Sequence, residues 1–359
     1  MVTVALRYDL RAPDWAATGH EALYRHCLEQ AGWGERHGID LVTFSEHHGV
    51  DDGYLPAPLT MAAAVLGRSP SVAVLVAACL VPLHDPIRLA EQIAALDLIG
   101  GGRVGVVAGA GYVEDEFRMA GVLRADRFVL LEEAVTTMLA AWTGEPFEYR
   151  DRQVRVTPQP ASRPHPRLYV GGSSAAAARR AARLRLGFYS AVGDTRLRDI
   201  YDEACRAAGF LGVSITPTWP GFVHVAEDPD RAWATIADYA WYDASSYRTW
   251  QERSARSSVK SDAKDIEQLR SEGIYRVLTP DECVTLAEEQ GPDGKITLHP
   301  LLAGMPAELG WESLELFAAK VLPRIRAGSP AQSTRPDAWA GIPTYPAATD
   351  TGLEHSQED

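Results

Sequence analysis

The stretch "SVAVLVAACLVPLHDPIRLAEQIAALDLIGGGRVGVVAGAG", residues 71–111, decides the fold. An apolar, β-branched run (71–81) breaks at Pro82, and helical spacing follows from Ile87. Gly100, Gly101 and Gly102 stop the helix, and a second apolar run begins at Arg103. Continuous rather than alternating apolar runs are strands buried on both faces. A helix between two such strands is a right-handed crossover joining parallel neighbours.

The same unit repeats outward in both directions. Strands are expected at 2–8, 40–46, 71–81, 103–111, 166–172, 187–192, 219–228 and 295–304, with helical stretches between them. Eight strands alternating with helices predict an α/β fold of the (β/α)8 TIM-barrel type. A doubly wound dinucleotide sheet is disfavoured, because no GxGxxG follows the first strand. "EPFEYRDRQVRVTP" (145–158) alternates with period two around a turn and predicts a hairpin outside the main sheet. Residues 230–290 read as a helical, aromatic-rich insertion carrying Trp233, Tyr239, Trp241, Tyr242, Tyr247 and Trp250. One domain over 1–327 is expected. Beyond it, 328–359 turns to Pro, Ser, Thr, Ala and acidic residues and predicts a disordered tail.

Composition narrows the function classes. A net charge of −13 with no basic block argues against nucleic acid as a partner. No run approaches the length of a membrane span, and the N-terminus lacks the pattern of a signal peptide, so a cytoplasmic protein is expected. Cys27, Cys79, Cys205 and Cys283 are scattered, without a CxxC pair, and read as reduced core thiols.

In a barrel of this kind the active site forms at the C-terminal ends of the strands. Four stretches then converge: "SEHHG" (45–49), "LVPLHDP" (80–86), "AGAGY" (108–112) and "VGGSS" (170–174). Glu46, His47 and His48 crowd titratable groups onto a strand end, where burial is costly unless chemistry needs them. Imidazoles titrate near neutrality and suit acid–base work, with Glu46 orienting or charge-pairing one ring. Metal is not expected, since neighbouring side chains diverge and no further ligands stand at zinc-like spacing. Gly171, Gly172, Ser173 and Ser174 read either as a serine N-cap on a tight turn or as an anion site at a helix start. Gly109 and Gly111 say only that something approaches closely. His84 and Asp85 read as turn chemistry.

Together "FSEHHG", "AACLVPLHDPIRLAEQIAALDLIGGGRVGVVAGAGYVEDEF" and "LYVGGSSAAAARRAARL" resemble the bacterial luciferase-like superfamily of flavin-dependent oxidoreductases. The resemblance implies that His47 is catalytic with His48 beside it, and that Ala77–Ala78 is a non-proline cis peptide behind the flavin ring. It also implies that the flavin phosphate lies at Gly172, Ser173 and Ser174. Luciferase has a cysteine and an arginine on strand four where this chain has Gly109 and Ala110. The phosphate then relies on backbone N–H groups and the helix dipole or on another cation, and light emission is not implied.

The activity implied is a monooxygenase that uses reduced FMN from a separate flavin reductase, with molecular oxygen, on a small organic substrate. The alternative is a coenzyme F-420-dependent hydride-transfer oxidoreductase, and the third reading is a non-catalytic flavin-binding barrel. Family members are often homodimers, so a homodimer is expected here.

Overall fold

A computed structural model describes residues 2–251, 257–292 and 294–327. The expected disordered tail, 328–359, lies outside them. The chain opens with β1 (Thr3–Tyr8), α1 (His20–His37), β2 (Leu41–Phe44), α2 (Pro58–Arg68), β3 (Ala73–Leu80), α3 (Pro86–Gly100) and β4 (Val104–Gly109). It continues through α4 (Glu114–Met119), α5 (Arg127–Trp142), β5 (Phe147–Tyr149), β6 (Arg152–Val154), β7 (Arg167–Gly172), α6 (Ala175–Arg183), β8 (Gly187–Ser190) and α7 (Thr195–Ala207). The last part holds β9 (Ser214–Ile215), β10 (Phe222–Val225), α8 (Pro229–Trp250), α9 (Ile266–Glu272), β11 (Tyr275–Leu278), α10 (Pro280–Gln290), β12 (Lys295–Leu298), α11 (Ala307–Leu316) and α12 (Leu322–Arg326).

Ten strands form one sheet in the order β11-β10-β12-β1-β2-β3-β4-β7-β8-β9. Every pairing described in it is parallel. Residues 216–221 are all that separate β9 from β10, yet laid flat these strands would stand eight spacings apart, about 38 Å. The connection can reach no more than about 25 Å. The sheet therefore closes into a barrel, with β9 on β8 and β10 on β12 as the two sides of the seam.

All eight expected strands are present. Two elements depart from expectation. The seventh strand is preceded by the short β9, too brief to leave a periodic signal. The 230–290 segment is not wholly helical either, because β11 pairs with β10 inside it. The hairpin β5–β6 stands apart as its own two-stranded sheet.

Along β1 the pleat sends Val4, Leu6 and Tyr8 out beneath the helices, all fully buried, and turns Ala5 and Arg7 into the barrel. The lower lumen is filled by Ala5, Leu41, Leu75, Val107 and Tyr169. The four cysteines are free and buried.

Candidate active site

The two histidines of "SEHHG" are held by two different carboxylates. Glu46, 2% exposed, accepts at Oε1 from His48 Nε2 (2.8 Å) and His84 Nε2 (2.7 Å), and at Oε2 from the Leu80 N–H (2.7 Å). Burial pushes the Glu46 carboxyl up, but these hydrogen bonds outweigh it and hold the group at about 2. The hydrogen bond to Glu46 raises the His48 pKa against the opposing effect of burial.

The expectation of turn chemistry at His84 is corrected by the structure. This residue joins Glu46 and His48 in a cluster whose ligand atoms all lie within 4.8 Å of one another. The carboxylate already bonds both rings, so the arrangement is complete as a charge network. Asp85 does serve the turn, capping α3 through the Arg88 N–H (2.9 Å).

His47 is oriented by Glu116 of α4, not by Glu46. Its Nδ1 lies 2.7 Å from Glu116 Oε1, which also accepts the His48 backbone N–H at 2.9 Å. A carboxylate can only accept, so Nδ1 carries the proton, and in the neutral ring Nε2 accepts from the Tyr112 hydroxyl at 3.1 Å. Burial pushes the Tyr112 and Tyr54 phenols well up, keeping both as donors at neutral pH. The imidazole is boxed by Tyr54 and Trp250, each with its ring centroid 4.8 Å away. Glu116 is not singled out by the sequence. Its one signal is a place just after strand four, shared with Glu114 and Asp115.

The α8 helix supplies the outer wall. Asp243, Tyr247 and Trp250 recur at helical spacing and face the mouth. The fully buried Arg11 holds them there. Its guanidinium bonds Asp52 Oδ2 (2.8 and 2.5 Å) and Asp243 Oδ1 (3.2 Å) and lies 4.9 Å from the ring centroids of Tyr242 and Trp250.

On the opposite wall the Ala77–Ala78 peptide bond is cis, and both alanines are only partly buried. Gly109 packs behind them, since a Cβ there would come within 2.8 Å of the Ala78 Cβ. Gly111 takes a positive φ of 73° against Phe117.

Gly171 and Gly172 are required by packing. Added Cβ atoms would fall 2.9 Å from Val107 Cγ1 and 2.4 Å from the Ala177 Cβ. Ser174 Oγ caps α6 by accepting the Ala177 N–H (3.2 Å). The N–H groups of Ala175 and Ala176, in the first turn of α6, have no partner within the helix. Arg180 is committed elsewhere, to Glu132 (2.7 Å) and the Phe128 ring. An apolar partly open wall at Ala77–Ala78, with these first-turn amides beside Ser173, fits a flavin with a terminal phosphate.

A parallel barrel with a carboxylate-oriented histidine at its strand ends is the framework of a β/α-barrel enzyme. The chain belongs to the luciferase-like monooxygenase family, whose model matches residues 10–289. Members of this family are flavin-dependent monooxygenases and oxidoreductases. An FMNH2-dependent dimethylsulfone monooxygenase of Pseudomonas putida is 30% identical over 57% of this chain and 58% of its own length. An F420-dependent glucose-6-phosphate dehydrogenase of Nakamurella multipartita is 30% identical over 82% of this chain and 90% of its own. The chain spans 48% of the length of another curated relative, y4vJ of Sinorhizobium fredii. In fold it resembles the monooxygenase RslO1 of Streptomyces bottropensis, with a TM-score of 0.71 at 24% identity over 90% of this chain and 99% of that one. Among the described residues no helix is long and apolar enough to cross a membrane.

Proposed function

We propose that this protein is the oxygenase of a two-component system, taking reduced FMN from a separate reductase and using molecular oxygen to oxidise a small organic substrate. The observation that carries the reading is His47, buried, fixed at Nδ1 by Glu116 and offering Nε2 beside the Tyr112 hydroxyl. Ala77 and Ala78 would back the isoalloxazine ring, and Ser173 with the α6 amides would hold the phosphate. Bound FMN supplies the redox chemistry and oxygen activation. His47 holds or moves a proton at Nε2, and Tyr112 fixes the direction of that transfer. Tyr54, Tyr247 and Trp250 exclude water from it. His48 and Glu46 brace the strand end from the other side.

Hydride transfer with coenzyme F-420 is the second reading. It is favoured by one observation, that the F420-dependent relative aligns over most of both chains. Anaerobic titration of the protein with reduced FMN and with reduced coenzyme F-420 separates the two. Binding of FMN, with substrate-dependent oxygen consumption on aeration, is the expected result. Preference for coenzyme F-420 moves the mechanism to hydride transfer, and binding of neither overturns both. The reading includes a homodimer formed through α2 and α3. A cleft of about 410 Å³ opens between them, lined by Leu59, Ala63, Leu96 and Ile99, with Glu46 and His84 at its inner end.

A further inference from the structure

Arg7 points into the barrel from β1 and is only partly buried, while its outward neighbours Leu6 and Tyr8 are fully covered. The open space it meets therefore lies inside the mouth. A guanidinium has five N–H donors, and among the described residues Arg7 spends one, from Nη2 to the Tyr247 hydroxyl at 3.0 Å. No described carboxylate is in direct contact with it, although Asp243 and Asp9 stand close enough to favour its charge. Arg11, further along the chain, is paired with Asp52 and Asp243.

The surroundings of Arg7 carry further unspent polar atoms. Thr43 is its register partner on β2, Thr297 is level with Ala5 on β12, and His299 directly follows that strand's last residue. Thr43 Oγ1, Thr297 Oγ1 and both ring nitrogens of His299 are buried and have no hydrogen-bond partner among the described residues. His299 Nε2 stands 3.7 Å from Asp9 Oδ1, beyond hydrogen-bond length but near enough that, against the opposing effect of burial, the ring lowers the Asp9 pKa. Buried polar atoms are normally satisfied. Here Thr43 stands beside Arg7 in register, and the others lie on the neighbouring strand end.

We propose that Arg7 is the substrate anchor of this enzyme and that the substrate class is a small carboxylate-bearing compound. Its carboxylate is received by Arg7 and Thr43, and the rest of the molecule lies along the aromatic wall toward His47. A carboxylate matches the planar donor fork of a guanidinium, and a neutral carbonyl matches only half of it. Tyr247 links the anchor to the proton-handling end, donating or accepting at Tyr54 (2.8 Å), whose ring packs on His47. The assignment rests on the barrel mouth being the substrate site.

The test compares benzoate with its neutral isostere benzamide, by calorimetry on the full chain with FMN present. Wild type should bind benzoate about tenfold more tightly than benzamide, the value of a charge-assisted pair. Arg7→Met should level the two probes without changing FMN affinity. Arg7→Gln, which keeps a donor for Tyr247, should do the same and stands in where Arg7→Met does not fold. Equal affinities in wild type, binding of neither probe, or an undiminished preference in the variants overturns the assignment. Intact FMN binding alongside such a result leaves the flavin reading standing, whereas loss of FMN binding by wild type overturns that reading itself.

Discussion

Glu46 and Glu116 divide the histidine pair between them, and each makes a different prediction. The Glu46 carboxyl titrates near 2 when folded and near 4.5 when unfolded. Its stabilisation is therefore present above pH 4.5 and lost as pH falls through 2. Glu46→Gln should cost on the order of 3 kcal/mol at pH 7, and the difference from wild type should shrink by about half by pH 3. Urea unfolding at the two pH values reads this directly. His48 has the opposite sign. Its pKa is raised, so its contribution is full below the ordinary 6.5 and is lost as pH rises through the folded value. At Glu116 the prediction is a tautomer. Nitrogen NMR should find the neutral His47 protonated at Nδ1, and Glu116→Ala should mix the two tautomers and lower turnover about 100-fold while leaving FMN affinity unchanged. The histidine pair was legible in the sequence because three titratable groups at a strand end are costly to bury unless chemistry uses them. Glu46 as the partner of one ring was legible with it, but Glu116 and His84 were not. Glu116 and His84 stand far from His47 and His48 in the chain, and the pairing of β2 with β3 and of β3 with β4 brings their strand ends together.

The element that shapes the mouth is α8, and Arg11 is what fastens it. Arg11→Met would strand Asp52 and Asp243, both buried, without their cation. A loss of about 3–5 kcal/mol is expected in the unfolding free energy, because a broken buried pair leaves uncompensated charge. Chemical denaturation of the variant checks it, and a loss under about 1 kcal/mol would show the pair to be unimportant. The aromatic content of this segment was plain in the sequence. The facing of Asp243, Tyr247 and Trp250 was not, since a helix this rich in aromatics shows no single apolar stripe. β11 escapes for a related reason, its four residues exposing an arginine between apolar neighbours.

For the whole molecule, alternation of apolar runs and helices carried the barrel, and the specific block 77–117 carried the family. The proposed dimer belongs to this scale. Ile99 is 51% exposed and Leu98 45% exposed beside the cleft between α2 and α3. A charge in a buried apolar interface is costly, so Ile99→Asp should convert a dimer to monomers in sedimentation velocity, with the monomer still folded. A wild-type protein that already sediments as a monomer removes the dimer reading.

The closure of the barrel has one more consequence. On one side of the seam the register pairs are Phe188–Ser214 and Tyr189–Ile215, and on the other there is Val223–Leu298 alone. A ring opens where the fewest ladder bonds must break, so thermal breathing of this barrel concentrates at β9 and β10. Amide protons there exchange with solvent ahead of those in β3 and β4, and the mouth loosens from that side while the wall bearing Ala77 and Ala78 stays rigid.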